Sequence, residues 1–150
     1  MKKLSIVLML GLAFITLKAQ TTNEEIDYIQ AMFGMEKRTA VEDFIVLSDA
    51  EETAFWKNYD AYEIMRKEMG KERIELLDKF LLEFESMTEQ ESTEWMKSVM
   101  SLRSRNEKLI EKYYKKILKE CSPIVAMQFY QLESYVLAGI RFQILENAPF

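Results

Sequence analysis

Residues 88–91 are Thr-Glu-Gln-Glu, and residues 48–51 are Ser-Asp-Ala-Glu. Both stretches are capping boxes, which start α-helices. The hydroxyl of the first residue accepts a hydrogen bond from a free backbone N–H, and the glutamate three residues later accepts one from the first residue's N–H. Ser122-Pro123 is a third start, because proline at the first helical position lacks only an N–H that would have no helical partner. These starts divide the chain into consecutive helices.

Residues that break helices are scarce. Between Gly34 and Gly139 there is one proline, Pro123, and one glycine, Gly70. This leaves few places for the turns of a sheet with many short strands. We therefore predict helices over 24–46, 49–86, 89–120 and 123–146. Their short connections fold neighbouring helices into antiparallel hairpins, so the predicted fold is all-α, elongated and a single domain over residues 20–150.

Apolar residues in the later helices recur at steps of three and four, which places them on one face of each helix. In the second helix they are Phe55, Tyr59, Tyr62, Met65, Met69, Leu76, Leu77, Phe80 and Phe84. In the third they are Trp95, Val99, Leu102, Leu109, Tyr113 and Ile117. In the fourth they are Val125, Phe129, Leu132, Val136 and Ile140. We expect these faces to form the core.

The N-terminus has the features of a secretory signal peptide. Lys2 and Lys3 precede an uncharged apolar run over 4–14, and Ala19 is a small residue at the expected cleavage point. The run is shorter than the roughly 20 residues of a membrane span, and no cysteine follows it for lipid attachment. We predict removal of residues 1–19 and a free, soluble periplasmic protein. Because three lysines and no acid are removed, the net charge changes from −5 to −8.

The composition argues against several kinds of activity. The chain has no histidine, the commonest general base and metal ligand, and no glycine-rich phosphate loop. Its acidic pairs, such as Glu24-Glu25 and Glu51-Glu52, are typical of a solvated helix face. An acidic chain is also a poor partner for nucleic acid. We predict no enzyme activity, no catalytic residue and no cofactor.

The methionine pairs and the single cysteine each allow two interpretations. Met32/Met35, Met65/Met69 and Met96/Met100 have helical spacing and could share Cu(I), although methionine more often fills gaps between helices. Cys121 is the one cysteine, so the chain cannot form an internal disulfide. It is either a small apolar residue or a thiol that links two chains.

The stretch 103–119 is strongly basic. It contains seven lysines and arginines against Glu107 and Glu111. Such a strip either is a solvated face whose cations suit a helix C-terminus or binds an acidic partner surface or anionic lipid.

Aromatic residues are more abundant than four helical stripes require. Adjacent pairs such as Tyr113-Tyr114 point about 100° apart on a helix, so some rings flank the core or face a groove. We predict a surface that binds clients or partners, with burial in a dimer as the alternative. The candidate residues are Phe55, Trp56, Tyr59, Tyr62, Trp95, Tyr113, Tyr114, Phe129 and Tyr130. The candidate structural residues are Ser48, Glu51, Thr88, Glu91, Ser122, Pro123, Glu133 and Arg141, the last two of which could tie the fourth helix to a neighbour.

A signal peptide followed by helices that begin Leu-Thr-x-x-Gln is similar to the periplasmic stress proteins of the Spy and CpxP type. Here the matching stretches are Leu47-Ser48-Asp49-Ala50-Glu51 and Met87-Thr88-Glu89-Gln90-Glu91, which end in Glu and, in the second, begin with Met. Residues 47–146 look closer to an uncharacterised branch of exported all-helical envelope proteins. The segments that carry this likeness are Ala54-Phe55-Trp56, Tyr59, Tyr62-Glu63, Lys112-Tyr113-Tyr114-Lys115-Lys116, Gln128-Phe129-Tyr130-Gln131-Leu132-Glu133 and Ile140-Arg141.

The resemblance implies a curved homodimer that holds unfolded clients or modulates an envelope stress sensor. Its metal-binding relatives use His-rich sites, which this chain lacks. We therefore predict a non-enzymatic, chaperone-like periplasmic protein. The alternatives are a structural oligomer of the envelope and a methionine-based metal sensor.

Overall fold

The computed structural model describes residues 23–147, so the predicted signal peptide lies outside the described residues. Four helices account for nearly all of that range, and it contains no strand. They are α1 (Asn23–Phe44), α2 (Asp49–Glu83), α3 (Glu89–Glu120) and α4 (Pro123–Asn147). The all-α fold predicted from the sequence is confirmed.

Local hydrogen bonds explain where the helices begin. At α3 the box is reciprocal: Glu91 N–H donates to Thr88 Oγ1 at 3.2 Å, and Thr88 N–H donates to Glu91 Oε2 at 2.9 Å. At α2 the backbone N–H of Ser48 donates to Glu51 Oε2 at 3.1 Å. At α4 Val125 N–H donates to Ser122 Oγ at 3.4 Å. Each start thus provides side-chain acceptors for backbone N–H groups that have no partner within the helix.

The helices form an up-and-down bundle. α2 packs on α3, α3 on α4, α1 on α2, and α1 also contacts α4, which closes the ring. All four helices contribute to the core, and Ile45 extends it just past the end of α1. The core residues are Val41, Ile45, Phe55, Tyr59, Tyr62, Leu109, Ile110, Tyr113, Ile117, Val125, Ala126, Phe129, Leu132, Val136 and Leu137.

The α2–α3 hairpin continues beyond this core. Asp27 near the start of α1 pairs with Lys71 at 2.5 Å, and Arg141 near the end of α4 pairs with Glu107 at 2.9 Å. On the hairpin, both contacts lie outside residues 75–101. Residues 75–101, here called the hairpin end, contain no buried residue. At 1.5 Å per residue, the eight α2 residues past Glu75 extend about 12 Å.

Among residues 23–147, no helix combines the length and the apolar character needed to cross a membrane.

Candidate functional site

Five of the nine aromatic residues proposed as a contact surface lie in the core. They are Phe55, Tyr59, Tyr62, Tyr113 and Phe129. Tyr62 makes edge contacts with the rings of Tyr113 and Phe129, at 5.6 and 5.2 Å between centroids. A client could reach these rings only if the bundle opened. We therefore assign them to the core and not to a binding surface.

The other four aromatic residues are partly or largely accessible. Trp56 lies under the guanidinium of Arg38, 4.1 Å from the ring centroid. Tyr114 and Tyr130 contact each other edge-on at 5.8 Å on the α3–α4 side of the bundle. Trp95 alone of the nine lies in the hairpin end. The candidate set therefore does not converge on one surface.

In the hairpin end, a small aromatic cluster joins α2 to α3. Trp95 Nε1–H donates to the backbone carbonyl of Leu76 at 2.9 Å, which satisfies the indole and ties α3 to α2. The ring of Phe80 stacks on Trp95 with 4.6 Å between centroids, and Phe84 lies 5.6 Å from Phe80. Aromatic pairs of this kind stabilise by about 0.5–1.5 kcal/mol beyond their buried area. These rings hold two helices together where α1 and α4 no longer cover them.

Large apolar side chains on the hairpin end remain exposed. Leu81 and Leu82 on α2 have relative exposures of 51% and 59%, and Met96 and Met100 on α3 have 42% and 55%. We call these four residues the hairpin-end surface. Acidic residues lie among and beside them, namely Glu83, Glu85, Glu89, Glu91 and Glu94, all exposed. Sequence reasoning missed Leu81 and Leu82, because they lie off the apolar stripe that predicted the core.

A second feature is a set of charged residues inside the bundle, here called the buried ion network. Lys37 Nζ lies 2.8 Å from Glu133 Oε1 and also pairs with Glu63. Arg66 Nε donates to both oxygens of Glu63, at 2.9 and 3.0 Å. Tyr62 Oη donates to Glu133 Oε2 at 2.6 Å. The network joins α1, α2 and α4, and every charge in it faces an opposite charge.

The tyrosines beside this network are held neutral. Lys37 lies over the rings of Tyr59 and Tyr62, with its Nζ 5.4 and 4.9 Å from their centroids. Burial raises the pKa of both hydroxyls well above the ordinary value, and Glu133 and Glu63 raise them further. Neither hydroxyl is therefore suited to act as a base near neutral pH.

Two of the predicted structural residues connect α4 to its neighbours. Arg141 ties α4 to α3 through Glu107, and Glu133 ties α4 to α1 and α2. Cys121 is half-buried, and its thiol donates to the carbonyl of Glu51 at 3.9 Å. Burial, with the nearby carboxylates of Glu51 and Glu120, raises the pKa of this thiol. A raised pKa leaves less of this thiol as thiolate, the form that exchanges disulfides.

Met65 and residues of the basic strip lie near the surface. Met65 is partly exposed, and its sulfur accepts a hydrogen bond from Tyr113 Oη at 3.7 Å. Within the basic strip, Arg105 pairs with Glu72 across the hairpin, and Lys116 lies 4.8 Å from the Tyr113 ring centroid. Within the part of the chain that the structure describes, no group of three histidine, cysteine or acidic side chains is placed to hold a metal ion.

These observations define a class of protein: an up-and-down four-helix bundle with a buried ion network and a central hairpin that projects with exposed apolar residues. Comparison with protein-family models, with curated proteins and with solved structures finds no match.

Proposed function

We propose that this is a non-enzymatic binding protein that holds unfolded segments of client proteins on the hairpin-end surface. The observation that carries the proposal is the exposure of Leu81, Leu82, Met96 and Met100 on a part of the hairpin with no buried residue. Exposed apolar residues that are grouped and rimmed by charge are typical of interaction sites.

The chemistry of this surface suits clients of varied sequence. Methionine is unbranched and polarizable, so it adapts its shape to different apolar partners. Leucine provides additional apolar area, while the surrounding glutamates keep the free protein soluble and repel acidic segments. A hairpin held mainly by the Phe80–Trp95 stack can also adjust to its occupant, since few core contacts restrain it.

The cellular setting is part of the same proposal. A predicted signal peptide over 1–19 would place the protein in the periplasm. The resemblance to Spy- and CpxP-type stress proteins points in the same direction, and modulation of a stress sensor is the alternative use of the surface. Self-association as an envelope oligomer would bury the same four residues.

Aggregation of an unfolded client tests the proposal. A chemically unfolded model protein is diluted into buffer without ATP, with and without the purified protein, and light scattering is followed. We expect suppression at a near-stoichiometric ratio. We expect the Leu82→Ser/Met100→Ser variant to lose most of it, because both substitutions remove apolar area from the hairpin-end surface.

A matched control distinguishes binding at this surface from non-specific binding by exposed apolar residues elsewhere. Ile64 and Ile124 are exposed to a similar or greater degree but lie on the body of the bundle. The Ile64→Ser/Ile124→Ser variant should suppress aggregation as well as the wild type. Equal loss in both variants, or no suppression over a wide excess of protein, would show that the hairpin end is not a client site. If the molecular mass of the wild type rises with protein concentration and that of Leu82→Ser/Met100→Ser does not, the oligomer is favoured.

A second candidate function rests on Met96 and Met100. They lie one helical turn apart, and both are accessible to solvent. Two thioethers at this spacing are ligands for Cu(I). If the protein is a copper-responsive sensor, Cu(I) should raise its melting temperature, and Met96→Leu/Met100→Leu should abolish the shift without reducing client binding.

A further inference from the structure

A small cavity lies where the hairpin leaves the bundle core. It has a volume of about 20 Å³ and is partly open to solvent, which is enough for one water-sized particle. All four helices contribute to its lining. The polar lining residues are Tyr62, Arg66, Arg73, Asn106 and Glu133, and the rest of the wall is apolar.

The charges around this cavity do not cancel. Glu63 faces both Lys37 and Arg66, and Glu133 faces Lys37. Among the described side chains around the cavity there are therefore three cations, counting Arg73, and two carboxylates. Arg141 does not change the balance, since Glu107 pairs with it.

Arg73 is the cation without a carboxylate among the described residues. Its one hydrogen bond to a described residue is a long one, from Nη2 to the amide oxygen of Asn106 at 3.4 Å. The Asn106 amide is itself fixed, because its Nδ2 donates to the Leu102 carbonyl at 2.8 Å. Most of the Arg73 donors are thus available to a ligand.

The position of Arg73 makes its charge costly. Burial, with repulsion from Arg66 and Arg141, lowers the pKa of Arg73 to about 10, so the guanidinium remains charged at neutral pH. A partly buried cation without a counter-charge is unfavourable, and an anion that accepts its hydrogen bonds relieves that cost.

We propose that this cavity binds a small monovalent anion, either a halide or the carboxylate of a small acid, with the Arg73 guanidinium as its main ligand. The surplus of one positive charge favours a single negative charge. Glu133 on the cavity wall repels a second negative charge, so phosphate and sulfate dianions are excluded. The cavity volume admits chloride or one carboxylate oxygen but not a bulky sulfonate.

Thermal unfolding of the full-length protein tests the proposal. At constant ionic strength, chloride or formate replaces methanesulfonate, and melting temperatures are compared for the wild type, Arg73→Gln and Arg103→Gln. Arg103 is an exposed arginine on α3 and is the control for general salt effects. The binding anion is present at ten times its dissociation constant. Under this condition the melting temperatures of the wild type and of Arg103→Gln should be about 4 °C higher than in methanesulfonate. The melting temperature of Arg73→Gln should not rise.

The anion series also identifies the ligand. A rise in chloride alone assigns a halide site, and a rise in formate as well assigns a carboxylate site. Chloride NMR provides a readout that does not depend on stability, because the ³⁵Cl line should broaden with wild type and not with Arg73→Gln. Equal shifts in all three proteins, or no line broadening and no shift in the wild type, would overturn the proposal.

Discussion

Lys37 Nζ lies 2.8 Å from Glu133 Oε1, and each of the two side chains is only 2% exposed. This ion pair joins α1 to α4 inside the bundle. Removing one partner of a buried pair leaves an uncompensated charge, whereas an exposed pair contributes little. Arg38 and Asp60 form such an exposed pair between α1 and α2, also at 2.8 Å. The two pairs differ mainly in burial.

The first prediction compares these pairs. Glu133→Ala should destabilise the protein by about 3–5 kcal/mol, and Asp60→Ala by less than about 1 kcal/mol. Lys37→Met/Glu133→Leu should recover much of the loss, because it removes both charges. Urea unfolding measures all three variants. Similar losses for Glu133→Ala and Asp60→Ala would mean that the buried ion network does not hold α1 in place.

The second prediction concerns two buried tyrosine hydroxyls. Tyr59 Oη makes no hydrogen bond to any described residue, whereas Tyr62 Oη donates to Glu133. Tyr59→Phe should therefore leave stability unchanged or raise it by about 1 kcal/mol, while Tyr62→Phe should lower it by about 1.5–3 kcal/mol. Urea unfolding at pH 7 distinguishes them. A loss in Tyr59→Phe as large as that in Tyr62→Phe would contradict this account.

The third prediction follows from the raised tyrosine pKa. Burial holds the pKa of Tyr59 above the ordinary value of 10.0, so above pH 10 the unfolded chain loses a proton that the folded chain keeps. The contribution of the Tyr59 hydroxyl to the free energy of unfolding is therefore fully present below pH 10 and declines as the pH rises above 10. Between pH 10 and 11, the wild type should lose about 1 kcal/mol more stability than Tyr59→Phe. If the stability of the wild type and of Tyr59→Phe declined in parallel with pH, the raised pKa of Tyr59 would be refuted.

The fourth prediction concerns local stability. Because residues 75–101 include no buried residue, their amides should exchange faster than those of 55–66 and 106–117, which lie in the core region. Thr88→Ala removes the capping hydroxyl that Glu91 N–H donates to, at a cost of about 1 kcal/mol. Hydrogen exchange should show this loss mainly within 75–101. Uniform protection along α2 and α3 would be inconsistent with a separately mobile hairpin end.

The helices were predictable because their starts are encoded locally. The starts of α2, α3 and α4 coincide with the capping sequences, and α1 begins within one residue of the predicted position. Two ends differ. α2 ends at Glu83 and not at 86, where Ser86 N–H and Oγ both donate to the Glu83 carbonyl. α1 ends at Phe44 and not at 46, with Ile45 N–H donating to Val41.

The polar interior was not predicted, because charged residues are normally assigned to solvent. The spacing nevertheless contained a signal. Lys37 lies four residues before Val41, and Arg66 lies four after Tyr62, so each continues an apolar stripe. Arg66 is buried, while Met65, the residue assigned to the core from the sequence, is partly exposed. Glu63, the partner of Arg66, lies three residues earlier on the same helix. The partners of Lys37 are Glu63 on α2 and Glu133 on α4, and they are too distant in sequence to be read from one helix.

The central claim is that clients bind at the hairpin end, and site-specific photo-crosslinking tests it most directly. A benzophenone amino acid is placed at Leu82 in one variant and at Ile64 in another, since both positions are exposed but only Leu82 lies in the hairpin end. Each variant is irradiated with an unfolded client. We predict a crosslinked product from position 82 that native client does not give, and little or none from position 64. Equal crosslinking from both positions, or none from position 82, would contradict the account.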